Sequence, residues 1–215
     1  ISEALNDGIL ISNGKYIARM DADDICLPTR FEIQLNFMEA NPDIGVCGTW
    51  IEKFGENYKN HTLKYPTNDA FSKVKLLFSV SFAHPTVMMQ SKIIKKHNLK
   101  YNNQYGIEDY KFWLDISKFT KFASIPKVLL KYRHLETSYS KEQERNYEKI
   151  YFEYKRVLSD LLERLNLKNT EMENKLHFII GRNTRIAQED IDLKSLNIYL
   201  NKFINANKSK KIFSD

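Results

Sequence analysis

Three carboxylates within four residues, Asp21-Ala-Asp23-Asp24, close a short run, Lys15-Tyr-Ile-Ala-Arg-Met20. Like charges this close repel one another, and the cluster is costly unless a cation or solvent relieves it. The run before it reads as a strand. The acids therefore stand at a strand's carboxyl end, where open α/β sheets bind their ligands. A divalent cation there could take oxygen ligands from Asp23 and from a diphosphate, leaving positions for water. The alternative is a solvated acidic turn with Asp24 near a helix start. An EF-hand does not fit, because Leu27 and Pro28 follow where its glycine and later ligands belong. A phosphatase with an aspartyl nucleophile also places paired Asp after a strand, but that strand is usually more apolar than Lys15–Met20.

Around this turn the pattern alternates. Residues 1–13 predict a helix with Ala4, Leu5, Ile9 and Leu10 apolar and Gly14 as its stop. Pro28 opens a second helix to about Ala40, with Phe31, Leu35 and Met38 expected on one buried face. Residues 44–54 read as a strand, 68–80 as a helix, 86–90 as a strand, 107–119 as a helix, and 122–125 and 128–132 as strands. Strands alternating with helices are the signature of an α/β layered domain. From Lys141 the period changes. Tyr147, Ile150, Tyr151, Tyr154, Val157, Leu158, Leu161, Leu162 and Leu165 recur at spacings of three and four, which predicts a long amphipathic helix to about Asn166. Two shorter helices are expected over 171–182 and 193–205, before a tail carrying Lys208, Lys210 and Lys211. The expected division is residues 1–140 as an α/β domain and 141–215 as a helical appendage.

Composition narrows the partners. With 215 residues and 42% hydrophobic content the chain can bury one ordinary core with a small appendage. Its net charge of +6 suits an anionic partner such as a nucleotide diphosphate, a lipid phosphate or a membrane surface. Nucleic acid is not expected, since there is no zinc spacing, RNA-binding aromatic motif or glycine-rich basic tract. Cys26 and Cys47 are too few for a disulfide scaffold and read as reduced core residues of a cytoplasmic protein. No run of eighteen apolar residues suggests a membrane span, and no signal peptide is seen.

Three further features carry candidate chemistry. Glu108-Asp109 opens a helix whose Tyr110, Phe112, Trp113, Leu114 and Ile116 supply an apolar face. Acids at a helix start are favoured by the macrodipole alone. The functional alternative is a general base lifting a proton from an acceptor hydroxyl. His84-Pro85-Thr86 reads by default as a buried structural histidine. Tyr132-Arg133-His134 precedes Ser138 and Ser140. Arg133 could pair with a diphosphate, or with Glu108 or Asp109, or simply end a surface strand.

The order of these motifs resembles family-two glycosyltransferases of the GT-A fold. The resemblance rests on Ala4-Leu5-Asn6, on Gly14 to Asp24 followed by Pro28, Arg30 and Gln34, on His84-Pro-Thr-Val-Met88, on Glu108-Asp-Tyr-Lys-Phe-Trp113, and on Leu130-Lys-Tyr-Arg133. It covers residues 1 to about 140. It implies a Rossmann-like mixed sheet flanked by helices, present in part, with the helical appendage following. It also implies an inverting transfer of a hexose or N-acetylhexosamine from a nucleotide sugar, expected to be a UDP sugar, to a glycan or lipid-linked acceptor. The segment from Glu108 onward is most similar to bacterial enzymes that build lipooligosaccharide, which implies work in surface polysaccharide synthesis at the inner face of the cell membrane. Asp21 and Asp23 match the family's Asp-x-Asp motif. Asp23 would hold Mn²⁺ or Mg²⁺ against the diphosphate, with Asp21 near the ribose or a metal-bound water. Asp109 matches the catalytic base, with Glu108 beside it. Arg133 would contact the donor diphosphate. His134 follows Arg133 directly where relatives often insert a residue, which weakens its match as a further metal ligand. Two other readings remain open: a non-catalytic binding or scaffold protein derived from such an enzyme, and a metal phosphohydrolase using Asp21.

The resemblance also implies something missing. The family's fold opens with a βαβαβ half that grips the nucleotide base, and only one helix and one strand precede Asp21. The absent part would be roughly 80–100 residues at ordinary element lengths. The expectation is a truncated chain with an open, apolar sheet edge, weak nucleotide-sugar binding and no turnover on its own.

Overall fold

The computed structural model describes residues 1–56, 58–135, 137, 146–182 and 192–213. Its centre is a six-stranded mixed sheet of β1 (Tyr16–Ala18), β2 (Ile25–Cys26), β3 (Ile44–Gly55), β4 (Tyr58–Leu63), β5 (Met88–Gln90) and β6 (Lys121–Arg133). The strand order is β1-β5-β3-β6-β2, with β4 paired to β3. Only β3 and β6 run parallel; the other pairings are antiparallel. Strand β3 has twelve residues, or about 40 Å of extended chain. It is long enough to serve two partners along one side, with Val46 and Cys47 facing β5 and the stretch from Ile51 to Gly55 facing β4. Its first half is buried on both faces, which accounts for the unbroken apolar run.

Residues 122–125 and 128–132 belong to one strand, not two. Ile125 pairs with Thr49 and Val128 with Trp50, so the register slips at Pro126 and Lys127. Proline has no N–H for the ladder, and a bulge absorbs it. Thr86, expected in a strand, belongs to a 3-10 turn over His84–Thr86 that precedes β5. Strands β2 and β4 are not expected from the sequence. β2 has two residues, and β4 is polar and largely exposed, without apolar alternation.

The helices are α1 (Ser2–Ile11), α2 (Arg30–Ala40), α3 (Asp69–Leu76), α4 (Ser91–Lys96), α5 (Glu108–Ile116), α6 (Tyr147–Arg164), α7 (Glu171–Arg182) and α8 (Leu193–Lys210). The face expected for α2 is wrong. Phe31 and Leu35 are 50% and 43% exposed, whereas Arg30, Gln34 and Met38 are buried. Positions i, i+4 and i+8 do form one stripe, but two of its three members are polar. The expected boundary at residue 140, with Ser138, Ser140 and the helix start at Lys141, lies outside the described residues. Of the two cysteines, Cys47 is buried and Cys26 only partly so.

One hydrophobic cluster joins the sheet to the last three helices. It contains Val46, Leu76, Phe82, Trp113 and Phe122 together with Tyr154, Leu158, Leu161, Phe178 and Phe203. Where the two parts meet, polar bonding adds direction. The last carbonyls of a helix have no partner within it. At α3 they are met from three other helices. Tyr110 of α5 donates its hydroxyl to Leu76 O at 2.9 Å, Tyr154 of α6 donates to Phe78 O at 2.7 Å, and His177 Nε2 of α7 lies 2.6 Å from Leu77 O. A carbonyl only accepts, so Nε2 carries the proton. Nδ1 must then accept from the Tyr199 hydroxyl at 2.7 Å, which in turn accepts from Asn169 Nδ2 at 2.8 Å. Helix α7 approaches so closely here that a Cβ on Gly181 would stand 1.9 Å from Phe78 O.

Burial pushes the His177 pKa down to about 4. A group depressed in the folded state stabilises fully above its unfolded pKa, near 6.5, and loses that contribution as pH falls toward 4. The stability gap between the wild type and His177→Gln is therefore expected to shrink across that window, by up to about 3 kcal/mol. Urea unfolding of both proteins at pH 7, 5.5 and 4.5 measures it. A gap that stays constant would show that the ring does not remain neutral in the fold.

Candidate active site

The acidic turn carries the chain from β1 at one edge of the sheet to β2 at the other. Buried residues of α2 pin it. Arg30 is fully buried; its Nη2 donates to Arg19 O at 2.8 Å, and its Nε donates to Gln34 Oε1 at 2.9 Å. Gln34 Nε2 donates to Cys47 O of β3 at 3.0 Å and to Thr86 O at 2.9 Å. The strand before the turn, the central strand and the His84–Thr86 turn are thus tied to one helix face. Asp24 fixes the far side. It is buried, and its Oδ1 accepts from the Arg133 backbone N–H at 2.8 Å. Burial pushes its pKa up to about 6, against the pull of that N–H.

Within the turn, Asp21 and Asp23 differ. Arg19 holds Asp21 with both guanidinium nitrogens, at 2.8 Å and 2.5 Å. Arg19 and Asp21 are two apart, the spacing that puts strand side chains on one face. Asp23 is exposed, and its carboxylate has no hydrogen-bond or ion-pair partner among the described residues.

A cleft of about 450 Å³ opens beside the turn. Arg19, Asp21 and Asp23 line one side, and Glu108 and Asp109 line it from the start of α5, with His84 and Tyr65 also on its wall. Four acids from two distant segments therefore share one space. Helix α5 has no side-chain cap at its start, so its acids there complement free N–H groups and the dipole. Asp109 Oδ1 accepts the N–H of Tyr110 at 2.7 Å. Burial nevertheless raises the Asp109 pKa; that N–H and Arg19 oppose the shift. Burial and the neighbouring Asp109 raise Glu108. His84 is buried, its Nε2 is 2.9 Å from the Tyr101 hydroxyl, and burial keeps its pKa well below the usual histidine value. It adds no positive charge to the cleft at neutral pH.

Arg133 contacts the acidic turn, whereas His134 stands elsewhere. Arg133 Nε donates to Asp23 O at 2.8 Å and its guanidinium lies over the Phe54 ring at 4.6 Å. Arg133 thus holds the backbone of the acidic turn and is not brought to Glu108 or Asp109. The His134 ring stacks on Tyr58 at 4.0 Å, beside the β3–β4 hairpin, and does not line the cleft. Among the described residues, no group of three or more His, Cys, Asp or Glu converges to hold a metal on its own.

The family model for glycosyl transferase family 2 matches residues 1–99. The amylovoran biosynthesis glycosyltransferase AmsE of Erwinia amylovora is 32% identical over 193 residues, covering 86% of this chain and 68% of that protein. The chain belongs to glycosyltransferase family 2. An uncharacterized glycosyltransferase of Methanocaldococcus jannaschii is 40% identical over 132 residues, 60% of this chain and 45% of its own length. Among such relatives the chain spans between about half and two thirds of their length. The crystal structure of S. aureus TarS 1–349 with UDP-GlcNAc superposes with a TM-score of 0.58 over 96% of this chain and 61% of that one, at 15% identity. The fold is that of the GT-A glycosyltransferases.

For a family-two transferase, sequence reading misses Arg19, Lys53, Tyr65 and Tyr132, all of which line the cleft. Only Arg19 has a visible signal, its same-face spacing to Asp21. The other three reach the site through the β3–β4 hairpin, the segment after it, and β6. Gln34 has the plainest consequence. Gln34→Leu would leave Cys47 O and Thr86 O without its amide, so a loss of about 2–4 kcal/mol is expected from two unsatisfied buried acceptors. Gln34→Glu should cost as much or more, because it adds a buried charge. Chemical denaturation checks both, and a loss below about 0.5 kcal/mol in each would show that the network does not organise the turn.

Proposed function

We propose that the chain is the catalytic and acceptor-side part of an inverting glycosyltransferase that moves a hexose or N-acetylhexosamine from a nucleotide sugar to a glycan or lipid-linked acceptor. The observation that carries this is the convergence of Asp21 and Asp23 with Glu108 and Asp109 in one cleft. Asp109 acts as the base. Its pKa, raised by burial, brings it closer to the acceptor hydroxyl it must deprotonate. The acceptor oxygen bonds to the sugar carbon as the bond to the diphosphate breaks, and the proton passes to Asp109. Glu108, beside it at the start of α5, stands ready to bond a sugar hydroxyl.

The residues fit a divalent cation. Asp23 offers hard carboxylate oxygen without a competing partner among the described residues, and Asp21 stands beside it, held by Arg19. Mg²⁺ commonly binds through one or two carboxylates plus substrate phosphates rather than a full protein cage, which agrees with the lack of a three-ligand group. Bound there, Mn²⁺ or Mg²⁺ would supply charge stabilisation for the departing nucleoside diphosphate. His134 has no part in this reading. A phosphohydrolase with Asp21 as nucleophile fits less well, because Arg19 occupies both of its carboxylate oxygens. The names of relatives support a place in surface polysaccharide synthesis. No described helix is long and apolar enough to cross a membrane. The exposed Lys208, Lys210 and Lys211 at the end of α8 suit peripheral contact with an anionic membrane at its inner face.

In a complete enzyme that carries this chain, Asp109→Asn is expected to lower transfer by about 10²–10⁴-fold while leaving metal-dependent donor binding within about threefold. Asp23→Ala should abolish the metal dependence of donor binding. Nucleoside diphosphate release, read beside calorimetric donor titration with Mn²⁺, separates the two. Full turnover by Asp109→Asn, or unchanged metal dependence in Asp23→Ala, would overturn the assignment.

A further inference from the structure

Helix α3 carries two faces. Ser72 and Leu76 are buried, whereas Phe71 and Val74, with Phe78 just past the helix end, form a second apolar stripe at spacings of three and four. Phe71 is 67% exposed and Val74 39%. Two hollows lie against this stripe. One, of about 570 Å³, is lined by Tyr65, Pro66, Phe71, Val74, Lys75 and Ile180 among others. The second, of about 650 Å³, shares Val74 and Phe78 and adds Leu200, Phe203, Ile204 and Phe213, with Lys208 at its rim. Tyr65 lines both the first hollow and the catalytic cleft. The cleft and the two hollows thus adjoin in series, sharing Tyr65 and then Val74 and Phe78, toward the basic end of α8.

At the junction sits one cation. Lys75 Nζ lies 4.9 Å from the centre of the Tyr65 ring. No carboxylate lies within ion-pair distance of it among the described residues. Burial, with nothing opposing it, lowers its pKa. The Tyr65 ring gives this half-buried cation one favourable contact, and an arriving anion would give it another. A sugar chain would need polar partners along the hollows, and these walls offer few; a hydrocarbon needs none.

We propose that this groove seats the hydrocarbon chain of a lipid-linked acceptor, with Lys75 pairing the phosphate that joins chain to glycan and so presenting the glycan to the cleft. The proposal rests on the transferase reading for what the cleft does, but not for whether the groove binds. Its occupant is an amphiphile with an anion next to a long apolar tail. Path, charge and contact with the cleft each ask for one part of that molecule.

Farnesyl phosphate, below its micellar concentration, is the probe; farnesol and inorganic phosphate are the controls. Calorimetry should show one farnesyl phosphate bound per chain, with farnesol weaker and phosphate alone not bound. Lys75→Gln should weaken farnesyl phosphate by about tenfold and leave farnesol unchanged. Val74→Asp should weaken both, while Asp23→Ala should change neither. Because no turnover is read, failure of the catalytic assignment would leave this result standing. No saturable binding, or equal affinity in Lys75→Gln, would overturn the proposal. So would a protein that self-associates through Phe71 without binding the probe, or one whose groove variants lose only phosphatidylglycerol vesicles. Those two outcomes would give the face to a second copy or to the bilayer.

Discussion

The site depends on a charged side chain placed where charge is least welcome. Arg30 is fully buried, and a buried guanidinium is tolerated only where hydrogen bonds replace its water. Its replacements are the Arg19 carbonyl and the Gln34 amide, and Gln34 reaches on to the carbonyls of Cys47 and Thr86. Each of those carbonyls belongs to a different segment beside the cleft. If one segment moved, a buried polar group would lose its partner, so the turn that bears Asp21 and Asp23 is held at a defined height above the sheet. Two buried atoms, Arg30 Nη1 and Asp24 Oδ2, have no protein partner among the described residues, which makes this polar seam a costly part of the core.

Charge in the cleft is graded rather than uniform. Arg19 neutralises Asp21 at contact, Asp24 is turned inward to a backbone N–H, and Asp23 is left facing the opening. The same arginine draws the Asp109 pKa back down while burial drives it up. One guanidinium therefore ties the electrostatics of the acidic turn to those of α5, two segments that lie far apart in the chain. Lys53 and Tyr132 border the same space from the strands.

Much of this is legible in the chain. The acidic turn, the paired acids at the start of α5 and the stripe from Ile150 to Leu165 are visible because each is written locally, as a charge cluster or a fixed period. The face of α2 misleads because apolar residues are ordinarily the inward ones. Phe31 and Leu35 have the right chemistry for a core, but Arg30 and Gln34 carry the bonds that backbone carbonyls require, and that demand is set by distant segments. Strand β4 escapes notice for a related reason: Tyr58–Leu63 has no apolar alternation and is held by ladder bonds to β3 alone. Arg133 is expected near an anion, and its Nε bonds a carbonyl of the acidic turn. Sequence names its charge but not its reach.

The capped end of α3 also sets an order of events. Its Leu77 carbonyl waits for a histidine 100 positions later, and its Phe78 carbonyl for a tyrosine 76 positions later. During synthesis, the ribosome will have released the whole mixed sheet before either partner leaves the exit tunnel. Until then Tyr110 is the one capping side chain of the three already in place, and the wall of the cleft that follows is less firmly held. Contacts this distant slow folding and leave apolar surface open to other molecules in the interval. A nascent chain stalled short of α7 should therefore attract chaperones at the very face that later becomes the molecule's interior.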